Sequence, residues 1–163
     1  MSESSAPATA SPLLRSIGRL RHLGWVLLGM LVVECVIGIA LTAYVSLPSS
    51  PSFMTVFSSA PLLTAHIVLA FLLFVVAVYA TVLAVRLKVA GIAGWEGLVA
   101  LFLLVAIQEG FAFSFNSNNM YVAGMVVGFL GALIAQVVVN YRLARRSREA
   151  TSVVPSAPHA GTP

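Results

Sequence analysis

Four long apolar stretches, separated by short polar or basic segments, organise this chain. They run over about residues 23–45, 62–85, 92–115 and 120–141. Each is long enough to cross roughly 30 Å of hydrocarbon as a helix rising 1.5 Å per residue. A backbone in lipid must satisfy its own hydrogen bonds, so apolar runs of this length predict helices. The fold class expected is all-α: an integral membrane bundle of four antiparallel helices.

The flanks differ from the spans. Residues 1–10 are rich in Ser, Ala, Pro and Thr and predict a disordered tail. Over residues 11–22, Ser11-Pro12 is a helix-start signal. Leu13, Leu14, Ile17 and Leu20 alternate there with Arg15, Arg19 and His22, predicting a basic amphipathic helix on the membrane surface. The connection after the first span carries Pro48, Pro51 and Pro61. Asn116-Ser117-Asn118-Asn119 predicts a tight hairpin between spans three and four. Residues 142–163 are expected to be a basic, then disordered, tail.

Charge adds orientation. The nine lysines and arginines fall in three patches: Arg15, Arg19 and Arg21; Arg86 and Lys88; Arg142, Arg145, Arg146 and Arg148. The other two connections carry none. This is the positive-inside pattern, and it places both termini in the cytoplasm of a cell whose plasma (inner) membrane holds the protein. The first span is too long for a signal-peptide core of about 7–15 residues, so it is read as a retained anchor. Only 9% of residues are charged, against roughly 25% in soluble domains, which excludes a water-dispersed fold. The net charge of +4 flanks apolar spans, which speaks for anionic lipid and against nucleic acid. The single cysteine, Cys35, excludes an intrachain disulfide.

Polar residues inside the spans are the candidate chemistry, because each costs about 2.5–3.5 kcal/mol near a helix centre. His66 shares a face with Ala70, Ala77, Thr81 and Ala84, and so is expected to face another helix. Glu109, with Gln108 beside it and Asn116 two turns on, lies at a similar depth counted from the span ends. The expectation is a His66–Glu109 pair, acting in proton transfer, ion binding or cofactor contact, or only fixing helix register. Glu34, near the middle of the first span and without a lysine or arginine at its depth, is expected to be uncharged and hydrogen-bonded. Gly124 and Gly128, continued by Ala132 and Ala135, give a GxxxG stripe for close helix packing, within the bundle or on a second copy.

Haem is the cofactor to weigh. Haem in a helical bundle takes axial side chains at one depth. His22 and His66 lie at opposite ends of their spans, and His159 lies in the tail. Met120 is the best-placed second ligand to His66. No CxxCH, HExxH or glycine-rich phosphate loop is present.

The segments Tyr44-Val45-Ser46-Leu47-Pro48, Leu62-Leu63-Thr64-Ala65-His66 and Phe115-Asn116-Ser117-Asn118-Asn119-Met120 resemble small prokaryotic four-span membrane proteins, a likeness that implies a fold and no activity. The chain is also faintly similar to half-length haem A synthase-type units. That family opens a haem-bearing helix with Glu-x-x-His. Here Leu63 stands at the glutamate position, and the last span has no histidine. This resemblance implies only His66, as a haem ligand.

The function expected is a non-enzymatic accessory or assembly component of the membrane, packing with itself as a homo-oligomer or with a larger complex. The alternatives are a haem-binding electron-transfer or haem-modifying protein using His66, and proton or ion conduction through Glu34, His66 and Glu109.

Overall fold

The computed structural model describes residues 12–44, 61–116 and 119–152. They form four helices: α1 (Pro12–Tyr44), α2 (Pro61–Arg86), α3 (Ala90–Asn116) and α4 (Asn119–Ser152). Each contains a segment long and apolar enough to cross a membrane. Pro12 and Pro61 stand at the first residue of their helices, where a missing N–H costs nothing and the fixed φ suits the helix.

α2 and α3 are joined by a tight reversal. Lys88 takes a left-handed φ of 55°. Val89 N donates to Ala84 O (3.1 Å) and Lys88 N to Val85 O (2.9 Å), which closes the carbonyl end of α2. This is the Schellman arrangement, with lysine in the place glycine usually takes.

Packing follows the heptad spacing of coiled coils. The buried positions are Leu20, Gly24, Leu27, Leu31 and Glu34 on α1, and Leu73, Ala77, Ala80 and Ala84 on α2. On α3 they are Ile92, Glu96, Val99, Leu103 and Ala106. α4 turns in Gly128, Ala132, Ala135, Gln136, Val139, Asn140 and Leu143. Each helix packs against its neighbours in sequence and α1 closes on α4, while α1 and α3, and α2 and α4, stay apart. The result is a four-sided bundle with the core along its axis. Its outside carries exposed Val32, Val36, Val68, Val75, Val127 and Ile134, a surface suited to lipid tails rather than water.

Two expected boundaries move. The basic segment 11–22 does not form a separate surface helix: from Pro12 it runs unbroken into the first span as part of α1, and Leu20 is fully buried in the bundle core. The stretch after residue 141 is not all tail, because α4 continues to Ser152 and buries Leu143. Both changes have one cause. Leu20, Val89, Ile92 and Leu143 extend the common core past the basic rim, and that burial keeps α1 and α4 helical there. The expected tail at residues 1–10, the proline-bearing connection and the last eleven residues lie outside the described residues.

Candidate functional site: two buried polar layers

The first layer joins α1 and α2. Glu34 is fully buried, one heptad step beyond Leu31, and His66 lies one heptad before Leu73. His66 Nδ1 is 2.8 Å from Glu34 Oε1. The approach is too bent for a hydrogen bond, so the contact is electrostatic. Gly38, one turn beyond Glu34, lies against the ring, where a Cβ would sit in ordinary contact 3.7 Å from His66 Cε1. The imidazole gives the buried carboxyl a polar neighbour, which offsets part of the cost of taking it out of water.

His66 therefore meets Glu34, not Glu109. The register between α2 and α3 gives the reason. Phe71 packs edge-on against Phe111, with ring centroids 6.0 Å apart, and Thr81 lies beside Gly97. The first pair sets position 116 across from His66 and the second position 112, so Glu109 falls short of the imidazole by about one to two turns, roughly 5–10 Å. Glu109 is half-buried and off the heptad stripe of α3; it leans onto α4, where a Cβ at Gly124 would come within 2.9 Å of its Cδ. Gln108 is exposed, and the side chain of Asn116 lies outside the described residues.

The second layer lies nearer the basic end and was not singled out from the sequence. Glu96 on α3 and Gln136 on α4 are fully buried, and Asn140 is nearly so. Asn140 Nδ2 donates to Gly24 O on α1 at 3.1 Å, and Gln136 Nε2 donates to the same oxygen at 3.3 Å. Gln136 also lies beside the Glu96 carboxyl. That carboxyl receives no geometrically sound hydrogen bond, nor do Gln136 Oε1 and Asn140 Oδ1. A side chain at position 24 would run into Asn140 Oδ1, so glycine is what lets α4 approach this closely. A signal for the layer existed: Gln136 and Asn140 continue the four-residue stripe of Gly124, Gly128 and Ala132, and Glu96 is in phase with Val99, Leu103 and Ala106.

The glycine stripe is spent inside the bundle. A Cβ at Gly128 would lie 2.9 Å from Phe102 O and 3.0 Å from Ala106 N, both backbone atoms of α3. Gly131 faces the Phe102 ring. This face seats α3 on α4, so it is not what a second copy would use.

The haem ligand pair is not assembled. Met120 is 77% exposed, and it stands on α4, diagonal to the α2 that carries His66. His22 is exposed at the other end of the bundle, in a groove with Arg19 and Tyr79. Among the described residues no three His, Cys, Asp or Glu side chains gather at a metal-binding distance. At the basic rim, the Arg142 guanidinium lies 5.3 Å from the Trp95 ring centroid and donates to Gly91 O at 3.5 Å. No family model, no curated protein and no solved structure matches the chain.

Proposed function

We propose that this protein is a non-enzymatic component of the plasma (inner) membrane, with both termini cytoplasmic, that supports the assembly or stability of a larger membrane complex. One observation carries the reading. The buried polar side chains of the described residues lie at helix–helix contacts: Glu34 against His66, and Glu96, Gln136 and Asn140 where α3, α4 and α1 meet. Polar groups used in this way fix register and rotation between helices. A catalytic centre instead needs a reacting group beside space for substrate. Leu27, Leu31, Leu73, Val99 and Leu103 fill the core around the layers, which also argues against a conducting path through one copy. What remains for interaction is the apolar outer surface and the arginine-rich rim.

Two measurements test the reading. Protein tagged and extracted from its native membrane in mild detergent is expected to migrate with a stoichiometric partner in a complex several times its own 17.1 kDa. Recovery as a stable lone monomer overturns the accessory role. Reporter tags placed in the connection between α1 and α2, and beyond Arg148, are expected to map to opposite sides of the membrane, because Arg and Lys are retained on the cytoplasmic side. Mapping to one compartment overturns the topology.

A further inference from the structure

Between α1 and α2, at the basic end of the bundle, lies a groove of about 560 Å³ lined by Gly18, Arg19, His22, Leu23, Tyr79 and Leu83. Gly18, Arg19, His22 and Tyr79 are exposed, so the groove faces outward and not toward the bundle axis. Nothing stands within 4 Å of where a Cβ at Gly18 would lie, which leaves that wall open. The Glu34–His66 contact sets position 22 across from position 78, so His22 and Tyr79 share one level. Tyr79 is about seven residues inside the Arg86 end of α2, roughly 10 Å into the apolar helix. That is the depth at which lipid head groups give way to acyl chains. No carboxylate among the described residues answers the positive charge here. Glu34 and Glu149 are taken by His66 and Arg145, and Glu96 and Glu109 lie against α4. Toward the membrane centre the same helix faces turn apolar: exposed Val26 and Val33 follow His22 on α1, and exposed Val75, Leu72 and Val68 precede Tyr79 on α2.

We propose that this groove binds one anionic phospholipid from the leaflet at the basic end, its phosphate held by Arg19, His22 and Tyr79 and its acyl chains laid along the apolar faces below them. The donors suit a phosphate. A guanidinium presents paired N–H groups that match two phosphate oxygens, and the imidazole and the phenol each have a further N–H or O–H to donate. Basic pockets between membrane helices recognise anionic head groups in this way. The apolar continuation selects a lipid over a soluble phosphate compound, which has no chain to lay there. A zwitterionic lipid carries a cation of its own, which Arg19 and the neighbouring Arg21 repel. The proposal rests on insertion of the four helices in a membrane, and on neither the accessory role nor the Glu34–His66 pair.

Native mass spectrometry of the full chain in neutral detergent, titrated with phosphatidylglycerol or phosphatidylcholine, tests this. About one phosphatidylglycerol per chain is expected to be retained, with an affinity at least about tenfold above that for phosphatidylcholine. Arg19→Ala should weaken phosphatidylglycerol binding by about tenfold or more, and Tyr79→Phe, which keeps the ring and removes the hydroxyl, by about fivefold. Arg21→Ala removes the same charge from an exposed position outside the groove, and should change the affinity by less than about twofold. The three side chains are exposed, so each variant should fold as the parent does. Equal losses in Arg19→Ala and Arg21→Ala overturn the proposal, because they would mean diffuse attraction to the whole basic rim. Equal retention of the two lipids overturns it too, as does displacement of phosphatidylglycerol by glycerol 3-phosphate at comparable concentration, which would make the groove a site for soluble phosphate.

Discussion

Alanine at Gly128 should destabilise the bundle by about 1–3 kcal/mol, the cost of forcing a methyl group into a packed interface. The obstruction is backbone: Phe102 O at 2.9 Å and Ala106 N at 3.0 Å from the new Cβ. No rotamer change on α3 can clear either atom, so the two helices must separate and loosen Gly124 and Gly131 along with them. Gly29 and Gly94 are the controls, since a Cβ at either meets nothing within 4 Å. Alanine there should be neutral, or stabilising by up to about 1 kcal/mol, because it is the better helix former. Unfolding midpoints of the three variants in one detergent decide the matter. If Gly128→Ala unfolds no earlier than Gly29→Ala, the close contact between α3 and α4 is wrong.

The second large effect concerns the polar pair between α1 and α2. Removing one member of a buried charge pair typically costs about 3–5 kcal/mol, because the survivor keeps its desolvation penalty and loses its partner. Glu34→Leu and His66→Leu should each destabilise on that scale. The double variant should recover most of the loss, since two apolar side chains replace a pair that only offset its own burial. A double-mutant cycle should therefore show a coupling of more than about 2 kcal/mol between positions 34 and 66. His66→Leu combined with Glu109→Leu should be additive, because Glu109 rests on α4 at Gly124. Strong coupling of 66 to 109, with additivity of 66 and 34, would mean that His66 pairs with Glu109 and not with Glu34.

Depth along a span was readable from the chain, but partnership was not. His66 and Glu109 both lie a few residues from a span end, and counting inward from those ends put them level. The count treats the two helices as starting at one height. Phe71 against Phe111 and Thr81 beside Gly97 set a register that separates them by about one to two turns. Glu34, which the same counting placed in mid-span and alone, is the residue that reaches the imidazole. Glu96 lies beside Trp95 near the basic end of its span, where polar side chains commonly face the interface. Its heptad phase with Val99 and Leu103 points it to the bundle axis instead.

Hydrophobic run length and the composition of the flanks determined the four helices by themselves, because a backbone in an apolar medium has almost no other way to satisfy its hydrogen bonds. The four-residue spacing of Gly124 and Gly128 likewise announced a close helix contact before any partner was known. Only the tertiary structure decided which helix lies against that stripe, which carboxyl meets His66, and where Gly24 lets two amides reach one carbonyl. Those choices depend on the relative height and rotation of neighbouring helices. Side chains far apart in the chain set these jointly through packing, and no local pattern encodes them.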